Sequence, residues 1–99
     1  MTRVGSCGVV IRTLKAGKTF ERDVKKLAPD YRHRLKEKLG DLLKDPRPPG
    51  LGFEKLKGHN SPPIYTCHID GNYKFSFEIE GDVAFMRRAG THNDIDRAP

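Results

Sequence analysis

The sequence predicts an α+β fold in which a helical hairpin packs on one face of a mostly antiparallel β-sheet. Two observations indicate this class. Apolar residues recur with helical spacing between residues 20 and 43, whereas beyond about residue 53 they alternate with the period of two that is typical of strands. Because 99 residues can build only one small core, residues 1–99 are expected to form a single domain.

The first half is predicted to begin with a strand and to continue with two helices. The strand, Gly8 to Leu14, contains the β-branched run of Val9 to Ile11, and Lys15 to Lys18 is expected to turn. Thr19 is the expected N-cap of the first helix. One face of that helix carries Phe20, Val24 and Leu27.

The second helix is predicted from about Asp30 to Lys44. Its apolar stripe consists of Tyr31, Leu35, Leu39, Leu42 and Leu43. The joint Ala28-Pro29-Asp30 is so short that the two helices are expected to form an antiparallel hairpin. The segment from Asp45 to Gly50 contains three prolines and therefore ends the helical half.

The second half is predicted as strands joined by hairpin turns at Asp70-Gly71 and Glu80 to Asp82. The predicted strands are Phe53–Lys57, Ile64–Ile69, Asn72–Ile79 and Val83–Ala89. In the third of these, one face carries Tyr73, Phe75, Phe77 and Ile79, and the other carries Lys74, Ser76 and Glu78. The predicted order is β-α-α-β-β-β, which leaves one face of the sheet free for a ligand.

The last strand is predicted by the same alternation. If Val83 and Phe85 face the helices, Arg87 faces them too, and Arg88 then points to the open face together with Ala84 and Met86.

Charge and apolar content narrow the class of partner and compartment. Nineteen Lys and Arg against thirteen Asp and Glu give a net charge of +6, which favours a polyanion or an acidic protein as partner. The longest apolar run, Val9 to Ile11, is too short for a transmembrane helix or a signal peptide, so we expect a cytoplasmic protein with no membrane partner. Cys7 and Cys67 form no zinc-binding pattern, and neither a metal nor a cofactor is predicted.

Several residues of the strand half have the chemistry that a metal-free ribonuclease needs: a base for the 2′-hydroxyl, an acid for the departing 5′-oxygen and cations for the phosphorane. Glu54, His92, Arg88, Lys55 and Lys57 would fill these roles if they converge, and Tyr73 could stack on a base. Each residue also has a plainer interpretation, because the histidines can be solvated loop residues and Tyr73 can belong to the core.

Four motifs in order carry a resemblance to a known family. Thr19 to Leu27 resembles the family's F-x-[KR]-D-[LV]-x-K-L helix, and Glu54 to His59 is similar to its PLKG strand. His68 to Lys74 resembles its Gly-centred hairpin, and Arg87 to His92 resembles its R-x-G-T-H ending. Together they resemble the RelE/ParE superfamily of toxins from bacterial type II toxin–antitoxin modules, with the YafQ branch most similar.

This resemblance implies a microbial-RNase-like fold and a toxin that cuts mRNA in the ribosomal A site without a cofactor. The implied partners are a cognate antitoxin, the 70S ribosome with its mRNA, and operator DNA reached through the antitoxin. The implied catalytic residues are His92, Arg88, Glu54, His68 and Tyr73, with Glu54 as base, His92 as acid and Arg88 as phosphate clamp. The implied RNA-binding residues are Lys55, Lys57, His59, Lys74 and Arg87.

The chain also departs from the YafQ pattern. Asn72 stands in place of an acidic residue, Lys74 in place of the commoner Arg, and the tail contains Asp94 and Asp96, which would repel a nearby phosphate. Two alternatives therefore stay open: a ParE-like gyrase inhibitor without nuclease activity, and a catalytically decayed member that still binds an antitoxin. ParE-like members generally lack the C-terminal histidine, so His92 together with Glu54 favours the nuclease.

Overall fold

The computed structural model of the protein describes residues 10–45, 47–60 and 62–99, and for residues 49 and 57–60 it describes the backbone alone. The elements in chain order are β1 (Thr13–Ala16), α1 (Lys18–Lys26), α2 (Pro29–Leu42), a 3-10 turn (Pro49–Leu51), β2 (Glu54–Asn60), β3 (Pro63–His68), β4 (Tyr73–Glu80), β5 (Val83–Thr91) and α3 (His92–Arg97). The predicted α+β class is confirmed. In the described residues, no helix is both long and apolar enough to span a membrane.

The strands form one mixed sheet in the order β1-β5-β4-β3-β2. All neighbouring pairs are antiparallel except β1 and β5, which are parallel. All four strands predicted after the second helix are present, so the summarised order β-α-α-β-β-β is one strand short, and α3 follows them as a helix that was not predicted. The N-cap of that helix is Thr91, a residue type that commonly begins helices. Its hydroxyl accepts a hydrogen bond from the Asp94 N–H at 3.2 Å.

The first strand lies later in the chain than predicted. β1 pairs with β5 from Thr13 opposite Val83 onward, and before that point β5 offers no neighbour. Val10 to Arg12 are therefore not part of the strand, while Gly8 and Val9 lie outside the described residues. The expected turn at residues 15–18 is also wrong, because β1 runs to Ala16 and α1 begins at Lys18.

The predicted cap of α1 is wrong as well. Gly17 occupies the N-cap position without a side-chain hydrogen bond, and Thr19 lies inside the helix. The helix gains its stability from packing instead, since Phe20 on α1 is buried in the same core as Leu35 and Leu42 on α2.

The two faces of β4 are as predicted. Phe75 and Phe77 are fully buried in the core under the helices, and Tyr73 and Ile79 pack against that core. The prediction for β5 is wrong, because Ala84 and Met86 face this core. Antiparallel partners share a face, and Met86 lies opposite Phe77. Phe85 lies outside the core with the Lys15 ammonium 5.8 Å from its ring centre.

A β-bulge then changes the direction of the following side chains. Ser76 lies opposite Arg88, but the next residue of β4, Phe77, lies opposite Met86, so Arg87 is an extra residue in β5. Arg87 Nε donates to the Pro99 carbonyl at 3.1 Å, and Arg88 Nη1 donates to the Ala98 carbonyl at 3.5 Å. Arg87 thus reaches the C-terminal tail on the face away from the helices and does not face the helices as predicted, whereas Arg88 contacts both the tail and Asp23 of α1.

That far face was expected to be open, but the C-terminal segment covers it along β4 and β5. Lys74 is 5% exposed and Ser76 is fully buried. Lys74 Nζ forms an ion pair with Asp96 of α3 at 2.5 Å, and the Ser76 hydroxyl donates to the Pro99 carbonyl at 3.0 Å. The polar groups of Lys74 and Ser76 are therefore satisfied by the tail rather than by solvent.

Asp23 of α1 satisfies the part of β5 that β1 does not reach. Beyond Met86, no strand of the described residues pairs with that edge of β5. The Asp23 carboxylate, 8% exposed, accepts from the Ala89 N–H at 3.1 Å and from Arg88 Nε at 2.7 Å. One buried carboxylate therefore joins α1 to the sheet and removes an unpaired backbone donor.

We expect Asp23→Ala to lower the free energy of unfolding by about 1–3 kcal/mol, because it leaves a buried N–H without an acceptor. Asp23→Asn keeps an acceptor oxygen and should lose less. Urea denaturation measures both, with Arg22→Ala on the exposed side of the same helix as the control, expected to change stability by less than about 0.5 kcal/mol. Equal losses in Asp23→Ala and Arg22→Ala would contradict this role.

Candidate active site

Two histidines from different elements meet at one end of the sheet. His68 is the last residue of β3, and His92 is the first residue of α3. His68 Nδ1 lies 3.2 Å from His92 Nε2, and the ring centres are 5.0 Å apart. We refer to these two side chains as the histidine pair.

The strand pairing explains why residues so far apart in sequence come together. β4 lies between β3 and β5, with Lys74 opposite His68 and Tyr73 opposite Thr91. The His92 N–H donates to the Asn72 carbonyl at 3.0 Å, just before β4 begins. The start of β4 thus holds both histidines.

Gly52 provides the space that the His68 ring occupies. Its φ of +66° is a left-handed conformation that L side chains rarely adopt. A Cβ at this position would lie 2.0 Å from His68 Cδ2, well inside contact distance. No residue other than glycine fits both requirements here.

The surroundings of His68 favour its neutral form. Burial is the largest cause that lowers the pKa of His68, followed by the charges of His92, Lys74 and, more weakly, Lys38. The negative charge of Glu54 acts in the opposite direction, but the net shift of the pKa is downward. His68 is therefore mostly neutral at neutral pH and can accept the hydrogen bond of the pair from His92 Nε2.

A cavity of about 360 Å³ opens beside the histidine pair, a size that suits a small group of a ligand. Its lining consists of Lys38, Gly50, His68, Ile69, Asp70, Gly71 and His92. The Asp70 carboxylate is already engaged, because it accepts from the N–H groups of Asn72 and Tyr73 at 2.9 and 3.0 Å. The cavity therefore presents imidazole and ammonium groups as its free polar chemistry.

The predicted cations of β4 and β5 lie away from this cavity. Lys74 is paired with Asp96 under α3, and Arg87 forms an ion pair with Glu78. Arg88 is bound to Asp23 and precedes His92 by four residues, roughly 13 Å of extended chain. The structure does not bring the predicted clamp, Arg88, to the histidine pair.

The remaining predicted site residues are divided between the two faces. Glu54 lies opposite Thr66, so it shares the face of His68, but it is exposed and makes no hydrogen bond to the pair in the described structure. Lys55 lies opposite Tyr65 on the other face. The predictions for Lys57 and His59 concern side chains outside the described residues.

Tyr73 lies on the helix side of β4, away from the face that carries Lys74. Its ring centre is 4.3 Å from that of Tyr31 on α2, and it packs against the core. In this position Tyr73 supports the hairpin between β3 and β4, and its ring face is covered by Tyr31.

Lys38 lines the cavity but is not among the site residues predicted from the sequence. Lys38 follows Leu35 by three residues and precedes Leu42 by four, so it lies on the buried stripe of the helix. A cation at such a position was the signal available in the sequence. In the described residues, no three His, Cys, Asp or Glu side chains are placed to hold a metal ion.

Comparison with known proteins gives similarity to solved structures, whereas no family model and no curated protein matches the chain. YafQ from Escherichia coli BL21(DE3) matches with a TM-score of 0.67 at 19% identity over 85% of this chain and 97% of the other. A chain of the RelB–RelE antitoxin–toxin complex from Methanococcus jannaschii matches with a TM-score of 0.64 at 29% identity over 86% and 99%. This chain has the RelE-superfamily toxin fold. The predicted resemblance to that superfamily, and to YafQ within it, is confirmed by these matches.

A third RelE-type structure agrees with the first two. A chain of the RelBE2 toxin–antitoxin complex from Mycobacterium tuberculosis matches with a TM-score of 0.66 at 21% identity over 84% of this chain and all of the other. Each of the three structures thus matches between 84% and 86% of this chain.

We expect Gly52→Ala to displace the His68 ring and to lower stability, because the added methyl group collides with the imidazole. Gly81→Ala is the matched control, since Gly81 also has a positive φ of +63° but open space around it. Both variants should lose about 1–2 kcal/mol from the backbone conformation. Only Gly52→Ala should change the NMR signals of His68 and His92, and unchanged signals in that variant would contradict the described packing.

Proposed function

We propose that this protein is the toxin of a type II toxin–antitoxin module and that it acts as an endoribonuclease on mRNA in the ribosomal A site. The observation that carries the proposal is the histidine pair beside an open cavity at the end of the sheet. A neutral imidazole next to a second imidazole supplies the base and the acid that RNA cleavage requires. The RelE-type fold supports the proposal independently of this geometry.

The reaction uses the two rings in different roles. His68, whose pKa is lowered chiefly by burial, takes the proton from the ribose 2′-hydroxyl as its oxygen attacks phosphorus. The bond from phosphorus to the 5′-oxygen breaks, and a protonated His92 gives its proton to that oxygen. The products are a 2′,3′-cyclic phosphate and a 5′-hydroxyl, and no metal takes part. On binding, the phosphate replaces the mutual hydrogen bond of the two rings.

This assignment moves the base from Glu54, the residue favoured by the resemblance, to His68. The two side chains share a face, but the ring that lies within hydrogen-bond distance of His92 is that of His68. Glu54 then acts through its charge, which stabilises the protonated form of His68 after proton transfer.

The ribosome and the antitoxin complete the proposed function. Two rings and a small cavity provide little surface to align a flexible RNA strand, so we propose that the ribosome holds the mRNA in the attack geometry. A cognate antitoxin is the proposed inhibitor, since the similar toxins YafQ and RelE were solved in complex with DinJ and RelB. With these two partners, the proposed location of the protein is the cytoplasm.

We expect purified protein to produce discrete A-site cuts in an mRNA programmed into 70S ribosomes, as measured by primer extension. His68→Ala and His92→Ala should each lower the cleavage rate by about 100-fold or more, because each removes a proton-transfer group. His33→Ala is the control, since His33 is an exposed histidine on α2 whose ring contacts Glu37 at 3.8 Å. That variant should cleave like the wild type.

Two results would contradict the proposal. Cuts that persist in both site variants would place the chemistry elsewhere in the chain. An absence of cuts together with inhibition of DNA gyrase supercoiling would instead support the ParE-like alternative, and an absence of both activities with retained antitoxin binding would support the decayed member.

A further inference from the structure

Lys38 brings a positive charge from α2 to the cavity beside the histidine pair. We propose that Lys38 binds a phosphate oxygen of the RNA in this cavity, so that α2 contributes a substrate-binding residue to a site otherwise built at the end of the sheet. The inference rests on the proposed function only for the identity of the ligand as RNA. A phosphodiester is an anion that suits the ammonium group and the two imidazoles lining the cavity.

Besides the histidine pair, three parts of the chain line this cavity. α2 provides Lys38, the 3-10 turn provides Gly50, and the turn between β3 and β4 provides residues 69–71. Lys38 is half-buried, unlike the exposed Lys36 on the same helix. Lys38 lies beside the buried residues Leu35 and Leu42 on α2 and lines the cavity.

The ammonium group of Lys38 is not neutralised by an acidic side chain. Within the described residues, no carboxylate lies within ion-pair distance of Lys38, whereas Lys44 is paired with Asp41 at 3.0 Å and Lys74 with Asp96 at 2.5 Å. An anionic ligand such as a phosphodiester would stabilise this half-buried ammonium group by pairing with its charge.

The acidic residue in the lining does not take this role. Asp70 accepts two backbone hydrogen bonds of its own turn, and Arg34 on α2 lies 3.8 Å from its second oxygen. Arg34 therefore balances the charge of Asp70 and leaves the charge of Lys38 available to a ligand.

Lys38 and the two histidines line the same cavity, so they can contact the same phosphate. Its charge contributes to the lowered pKa of His68, although burial contributes most. A phosphate bound between Lys38 and the two rings would have its non-bridging oxygens at the ammonium group and its reacting oxygens at the imidazoles. The same cation would then stabilise the additional negative charge of the phosphorane.

A binding titration tests this role without relying on cleavage. The probe is a 2′-O-methyl trinucleotide, which cannot be cleaved because its attacking hydroxyl is blocked, and binding is followed through the NMR signals of the histidine ring protons. We expect Lys38→Ala to raise the Kd about tenfold, and Lys38→Arg to restore most of the affinity. Lys36→Ala removes the same charge from the exposed side of α2 and should change the Kd by less than about twofold.

The same spectra provide a second readout that a merely structural residue would not change. Lys38→Ala should raise the pKa of His68 because a nearby positive charge is removed, while Lys36→Ala should leave it unchanged. Equal effects of the two alanine variants on both Kd and pKa would overturn the inference, as would an absence of binding by the wild type.

The outcomes separate this inference from the proposed function. Lys38-dependent binding in a protein that fails to cleave mRNA on ribosomes would support the phosphate site and contradict the nuclease. Cleavage by a protein whose trinucleotide binding does not depend on Lys38 would support the nuclease and overturn the role of Lys38.

Discussion

The position of β4 between β3 and β5 is the constraint on which the rest of the structure depends. Phe75 and Phe77 bury one face of β4 under the helices, and the opposite face is covered by α3 and the tail. With both faces covered, a shift of one residue would move the phenylalanines to the polar face under α3 and the tail and bury charged groups under the helices, so the register is strongly determined. That register places the ends of β3 and β5 at the same end of the sheet, on either side of β4, and brings His68 to His92.

The cover of the far face also determines which cations a ligand can reach. Asp96 neutralises Lys74, and tail carbonyls accept hydrogen bonds from Ser76, Arg87 and Arg88. The cationic row along β4 and β5 is therefore engaged within the protein. The positive charge that a ligand at the histidine pair can reach is that of Lys38, which belongs to α2 in the helical layer of the fold. The proposed catalytic groups at the end of the sheet and the proposed phosphate-binding group on α2 thus line one cavity.

Much of this arrangement could be predicted from the sequence, because alternation and helical spacing are local signals. The faces of β4 follow from alternation, and resemblance to the RelE/ParE superfamily singled out both His68 and His92. The position of β1 could not be predicted, because it depends on β5 beginning at Val83. The direction of Arg87 could not be predicted either, because it depends on a bulge in the pairing of β5 with β4. The contact of His68 with Gly52 likewise joins segments whose pairing no local pattern reveals.

The central claim is that His68, rather than Glu54, is the base of the reaction. The most direct test is the pH dependence of the single-turnover cleavage rate on programmed ribosomes for the wild type, His68→Gln and Glu54→Gln. Because His68 must be neutral and its pKa is lowered, the rate should fall on the acid side below pH 6.5, the usual pKa of histidine. If His68 is the base, we expect this acid limb to persist in Glu54→Gln and to disappear in His68→Gln. An acid limb that disappears in Glu54→Gln and persists in His68→Gln would contradict it.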